Sequence, residues 1–180
     1  MRVLCSLARS VGLAAAHEIR LSHEHHARNY QLADGHRYVV FRETVRRLDD
    51  DPQCVIEVGF RLRLIGSAAL PHRLFQRACI LTTPFWSGFD GFATKLWMVD
   101  PDTRSYAGIY AWSRSPAAQG YMDVLLPVLR AVSVRGSVFS EVHEHRELEE
   151  LLRERSGRAT PIAASDGASP RTTGAVSADA

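Results

Sequence analysis

From Cys54 to Leu64 every even position is apolar (Cys54, Ile56, Val58, Phe60, Leu62, Leu64), while Glu57, Arg61 and Arg63 fall among the odd ones. A two-residue period sorts side chains onto the two faces of an extended chain, so this stretch predicts a strand with one well-buried face. Leu70, Leu74, Phe75, Ala78 and Leu81 then recur at helical spacing, with Pro71 suited to a first turn and Pro84 marking a limit. Alternation returns from Phe92 to Val99. Asp100-Pro101-Asp102-Thr103 has turn chemistry, and Tyr106 to Trp112 reads as the second arm of an antiparallel hairpin. Ser115-Pro116 suits a helix start. Tyr121, Val124, Leu125, Val128, Leu129 and Val132 follow as one helical stripe, which Pro127 is expected to kink or shorten. A last strand around Val138 and Val142 completes the order β-α-β-β-α-β. That is the ferredoxin-like α+β unit, a four-stranded antiparallel sheet with two helices on one face. Both faces of such a sheet carry apolar residues here, Phe60, Leu62 and Leu96 on one, Trp97 and Phe139 on the other. Two helices cover only one, so a homodimer is expected to bury the second.

Around this unit, at residues 54–144, the texture changes. Residues 1–53 read as an N-terminal extension, partly helical, with Tyr38 to Leu48 as a short helix closed by Asp49-Asp50-Asp51-Pro52. Residues 145–180 read as a charged helix, Arg146 to Arg155, and an Ala/Ser/Thr/Gly/Pro-rich tail too poor in large apolar residues to form a core. At the start, Arg9 interrupts the only run resembling a signal segment, so an amphipathic extension is expected instead. No stretch reaches the length of a membrane span. The 22 basic and 20 acidic residues are interleaved, which does not suggest nucleic-acid binding. Three cysteines without paired spacing suit a reducing, cytoplasmic setting.

One lysine, Lys95, stands against 21 arginines. It lies in Gly91-Phe92-Ala93-Thr94-Lys95-Leu96-Trp97, followed by Gly108-Ile109-Tyr110-Ala111-Trp112 and, nine residues on, Tyr121. This order, G-F-x-x-K-x-W, an acidic turn, G-I-Y-x-aromatic and a helix with Tyr, resembles the YdhR-type family of predicted monooxygenases in the dimeric α/β-barrel superfamily. The resemblance covers residues 54–144 and implies ferredoxin-like protomers whose sheets face each other in a homodimer, with a pocket between sheet and helices. It also implies oxygenase chemistry that in some members needs neither metal nor flavin. Other members bind haem through a histidine on the second helix. Residues 117–131 contain none, so no cofactor is expected.

Trp97, Tyr110, Trp112 and Tyr121 are candidates to line a pocket for an aromatic molecule, or else are core and interface aromatics. Tyr121 is the foremost of them, since the resemblance implies a pocket aromatic at the start of the second helix. Lys95 and Arg61 are candidates to stabilise an enolate or phenolate by fixed positive charge, the competing reading being a salt bridge across the dimer to Glu57 or Glu141. His72 and His143 are the candidate general bases, and either is equally readable as a solvated surface residue. His17-Glu18 and His23-Glu24-His25-His26 tempt a metal reading, but adjacent residues in a loop rarely converge, so a solvated segment and no metal are expected. No nucleotide-binding, nucleophile-elbow or zincin motif is present. The functional expectation is a small cofactor-independent monooxygenase or ring-modifying enzyme acting on an aromatic or polyketide-like molecule. The alternative is a non-catalytic small-molecule-binding or stability module on the same fold.

Overall fold

The alternation beginning at Cys54 becomes a strand whose backbone pairs on both sides, and the sheet grows outward from it. The computed structural model describes residues 19–48, 51–63 and 89–157. In chain order the elements are β1 (Ile19–Ser22), β2 (Asn29–Gln31), β3 (Arg37–Arg46), β4 (Cys54–Phe60), β5 (Phe92–Val99), β6 (Tyr106–Trp112), α1 (Ser115–Val132), β7 (Phe139–Glu144) and α2 (Leu148–Gly157). Strands run β1-β3-β5-β6-β4-β7, with β2 also on β3, and every pair is antiparallel. The run β5-β6-β4-β7 is the ferredoxin-like order, the last strand beside the first and the hairpin on its other side. The expected helix over 70–81, the amphipathic reading of residues 1–16 and the tail beyond Gly157 lie outside the described residues.

The segment expected to hold a short helix at Tyr38 to Leu48 is instead β3, ten residues long and hydrogen bonded along β5. A bulge between Val40 and Arg42 explains the misreading. An extra residue there shifts the phase of the alternation, so no single two-residue period runs through the segment. The β-branched and aromatic content of Tyr38-Val39-Val40-Phe41 and Thr44-Val45 favours a strand regardless of phase. Two smaller differences concern α1. Arg114 rather than Ser115 occupies the cap position, without a side-chain cap, and the helix continues past Pro127 to Val132.

Two cores sandwich the sheet. On one face α1 sets Ala118, Tyr121, Met122, Leu125 and Leu129 against Cys54, Ile56, Val58, Phe92, Tyr110 and Trp112. On the other, Leu151 and Leu152 of α2, with Tyr30 and Leu32 from the β2 region, pack on Val55, Leu96, Met98 and Ile109. The second face, which the sequence assigns to a dimer partner, is thus covered from within the chain. An ion pair seats α2. Glu57, fully buried in the middle of β4, accepts from Arg155 Nε at 2.8 Å and from the Ala33 amide at 3.1 Å, with His143 Nε2 at 3.3 Å. Removing Arg155 leaves that carboxylate without its counter-charge. Arg155→Met should therefore lower the unfolding free energy by about 3 kcal/mol or more. The solvent-facing Arg153→Met should change it by about 0.5 kcal/mol at most. Chemical denaturation of both variants checks the contrast.

The β5–β6 turn has its own lock. Asp100 accepts hydrogen bonds from the amides of Asp102 and Thr103 and from the Thr103 hydroxyl, and His36 Nδ1 lies 3.3 Å away. Burial by itself would raise the Asp100 pKa, but these hydrogen bonds and His36 outweigh it and hold the carboxyl below its ordinary value. A lowered folded-state pKa means stability present above the unfolded-state value and lost as pH falls through the folded-state one. Asp100→Asn should be less stable than the parent at neutral pH. The difference should shrink between about pH 5 and pH 2, as followed by thermal melts across that range.

Candidate functional site

Tyr121 sits on the first inward turn of α1 and is 0 % exposed. Its ring centroid lies 5.0 Å from Trp112, 5.2 Å from Tyr110 and 5.5 Å from Phe89, and Trp112 meets Phe92 edge-on at 5.6 Å. The helical spacing from Ser115 points Tyr121 at the hairpin, and the register of β5 on β6 builds what it meets. Phe92 pairs with Trp112, Lys95 with Tyr110, and Trp97 with Gly108. Lys95 and Trp97 therefore share the α1 face with Tyr110. Lys95, 3 % exposed, holds its Nζ 3.1 Å from the Trp97 ring centroid and 4.6 Å from that of Tyr110. Ring faces carry negative potential, so a buried ammonium is stabilised there by about 2 kcal/mol.

Glycine 108 makes that arrangement possible. A Cβ on it would come 2.9–3.1 Å from the outer ring atoms and hydroxyl of Tyr110. The Tyr110 ring thus leans along β6 over the bare backbone of Gly108, which Trp97 faces across the hairpin. Gly91, at the other motif position, has φ +74°, and a Cβ there would lie 2.7 Å from the Ser113 hydroxyl. Both motif glycines serve to place the aromatic hairpin against the start of α1.

Among the described residues, the buried indole nitrogens of Trp97 and Trp112 and the Thr44 hydroxyl, all on this face, find no hydrogen-bond partner. Thr44 pairs with Lys95 across β3–β5, so its hydroxyl faces the same side. Buried donors without partners are uncommon in folded proteins and mark sites that a ligand or water completes. Neighbouring Arg42 and Arg46 come from the same strand, and Arg46 donates to the Phe89 carbonyl at 3.2 Å. Thr44, Arg42 and Arg46 are not among the candidate site residues of the sequence, and Gly108 and Phe92 enter there only as motif positions. The β3 residues stand out only once that segment is a strand, because the bulge between Val40 and Arg42 hides its alternation.

The other expected site residues fall elsewhere. His143 pairs with Val55 across β7–β4, so it lies on the α2 face and approaches Glu57; the sheet separates it from Lys95. Glu57 is on that far face too and pairs with Arg155 of its own chain. Arg61 follows β4, exposed, beside a cleft of about 270 Å³ that Asp34, His36, Tyr38, Phe60, Ser137 and Phe139 also line. There Tyr38 donates to Asp34 at 2.7 Å, and burial and Asp34 raise its pKa. His72 lies outside the described residues. The structure thus brings Lys95, Trp97, Tyr110, Trp112 and Tyr121 together, and places Arg61 and His143 apart from them.

No protein-family model and no curated protein matches the sequence. Solved structures similar in fold include a heme-degrading enzyme from Listeria monocytogenes (11% identity, TM-score 0.46, 64% of this chain and 74% of that one). Another is an uncharacterized ferredoxin-fold protein related to antibiotic biosynthesis monooxygenases, also from Listeria monocytogenes (12% identity, TM-score 0.44, 72% and 92%). A third is a monooxygenase-like protein from Listeria innocua (13% identity, TM-score 0.43, 64% and 68%). The ferredoxin-like assignment rests on the strand order itself. Among the described residues, no helix is long and apolar enough to cross a membrane.

Complete burial pushes the Tyr121 pKa well above its ordinary value, and Tyr110 beside it adds to the rise. The hydroxyl stays protonated while the protein is folded, and its contribution to stability is present below the unfolded-state pKa and lost as pH rises above it. In an alkaline titration, Tyr121→Phe should leave unchanged the phenolate absorbance that folded protein gains up to about pH 11. It should reduce only the step that accompanies unfolding.

Proposed function

We propose that this chain is a small enzyme of the antibiotic-biosynthesis-monooxygenase kind, acting on a hydroxylated aromatic or polyketide-like molecule held against the α1 face of the sheet. The observation that carries this reading is the buried ammonium of Lys95, set between Trp97 and Tyr110 beside hydrogen-bond donors that lack partners. A fixed cation and oriented N–H groups in a water-poor site stabilise a developing oxyanion far more than the same groups do in water. The flat walls of Trp97, Tyr110 and Trp112 suit an aromatic ring system.

The titratable groups of the described cluster are Lys95, Tyr110 and Tyr121, and Tyr121 is held in its protonated form. The site is therefore built to stabilise an anion. This favours a substrate acidic in its own right, a phenol or an enolisable ketone, whose electron-rich anion then reacts with dioxygen. Lys95 neutralises the oxyanion, the indole N–H groups and Thr44 orient it, and Tyr121 closes the far side. A non-catalytic binder of the same class of molecule is the second reading. It is favoured by the ring-on-ring packing around Tyr121 and by the distance of His143 from the cluster.

Hydroxynaphthalenes and hydroxyanthracenes, titrated against tryptophan fluorescence with oxygen uptake followed in parallel, test the proposal. The expected result is saturable quenching and oxygen consumption that depends on protein. Lys95→Met preserves length and removes the charge. It should weaken binding of the ionised ligand by about tenfold, close to 1.4 kcal/mol, with the melting temperature little changed. Binding without oxygen uptake selects the second reading. Unaltered binding in Lys95→Met excludes the site.

A further inference from the structure

In the histidine-rich segment near the start of β2, His23, Glu24 and His26 are solvated as the composition suggests, and His25 is not. Between β1 and β2 the chain makes a tight turn, with His26 N–H donating to the His23 carbonyl, Arg28 N–H to that of His25, and Ala27 at φ +62°. This turn keeps His23 and His26 outside while it folds His25 back beneath α2, where it is 2 % exposed. Glu43 of β3 grips it from behind. Its carboxylate takes the His25 amide at 3.2 Å and His25 Nδ1 at 3.1 Å, and Tyr30 packs against the ring with centroids 6.5 Å apart.

A carboxylate only accepts hydrogen bonds, so Nδ1 is the donor to Glu43. Nε2 is then directed at α2. It lies 3.2 Å from Glu149 Oε1 without a hydrogen bond between them, so buried Nε2 has a carboxylate in ion-pair reach but no hydrogen-bond partner. Glu24 completes the group: one ligand-capable atom from each of Glu24, His25 and Glu149 lies within 4.8 Å of the others. A histidine held through one ring nitrogen by a carboxylate, with the other nitrogen facing open carboxylates, is the arrangement that orients a metal-binding imidazole. The 3.2 Å separation also matches the edge between two ligand atoms on a tetrahedral zinc ion, about 3.3 Å for bonds near 2.05 Å.

We propose that His25 Nε2, Glu24 and Glu149 form a binding site for a divalent transition-metal ion of the zinc type, with Glu43 as the carboxylate that orients His25. One nitrogen and two carboxylate oxygens make a borderline donor set suited to zinc and its neighbours. Glu24 and Glu149 are exposed, which leaves the solvent side for water as a remaining ligand. The ion bridges the β1–β2 turn to the first turn of α2, so binding it ties α2 to the sheet at its N-terminal end. Glu57 and Arg155 already tie the other end. The second cluster of potential ligands, Glu57, Glu141 and His143, differs in having the Arg155 guanidinium against both carboxylates.

The test is calorimetric titration of chelator-treated full-length protein with Zn²⁺, with Co²⁺ absorption as a spectroscopic readout. One ion per chain is expected, together with a rise in melting temperature on binding. Glu149→Gln and Glu24→Gln change exposed side chains and should leave the metal-free melting temperature unchanged. Each should weaken binding about tenfold or more and abolish the metal-induced rise. Glu43→Gln should weaken it by about 10- to 100-fold through the loosened imidazole. A His23→Gln/His26→Gln double variant should bind as the parent does. No saturable binding up to about 100 µM Zn²⁺ would overturn the proposal, leaving His25 as an ion-pair partner only. Binding lost in the His23/His26 variant, or in Glu141→Gln, but kept in Glu149→Gln would overturn it as well.

Discussion

The neighbouring strands β4 and β6 are buried on both faces, and that double burial governs the rest of the molecule. Every residue of β6 is buried, and of β4 only Phe60 is not. A sheet in that position is covered twice or not at all, because leaving either face in water forfeits the burial that stabilises it. Here α1 supplies one cover and α2 with the β2 region supplies the other. Glu57 shows what the second cover entails. A carboxylate at the centre of β4 is sealed from solvent only because Arg155 arrives with α2 to neutralise it. Leu151 and Leu152 give the helix its apolar footing, and the ion pair fixes where along the sheet it stands.

The candidate active-site face follows the same logic with other residues. Gly108 leaves room for Tyr110, Tyr110 and Trp97 flank Lys95, and the α1 spacing drops Tyr121 onto the group. Each step depends on the one before, through register rather than through sequence proximity. Positive charge placed among aromatic faces is stabilised at rest. Structure and proposed chemistry therefore use the same contacts. The metal site inferred at His25 belongs to the opposite side, so the two can be perturbed separately.

The ferredoxin-like core was legible because its signals are local. Alternation at 54–60 and 92–99, the acidic turn at 100–103 and the stripe through Tyr121, Leu125 and Leu129 each identify an element without help from distant residues. What escaped was decided at long range. In β3 a bulge at Phe41 broke the alternation, and the strand is held by β5, some fifty residues later. His25 is held by Glu43 of β3, and the placement of His143 depends on which face of β4 its neighbour Val55 presents. The exposed Val128 and Val132 show the same limit: both fit the helical stripe, yet α1 is turned so that Ala118 and Met122 face inward in their place. Within the candidate site, the aromatic residues and Lys95 stood out by type and spacing. The contribution of Thr44 could not, since it required β3 to be a strand.

The pairing of Glu57 with Arg155 spans 98 positions of chain. Contacts of that separation are costly to close before other structure exists, and folds dominated by them form slowly. During synthesis, β3 to β6 emerge with one face still bare and the Glu57 carboxylate without its guanidinium. That face stays open until α2 has been made. In that interval the growing chain presents a broad apolar surface of the kind that chaperones and neighbouring chains engage. The closing of α2 is therefore the event that ends this exposure.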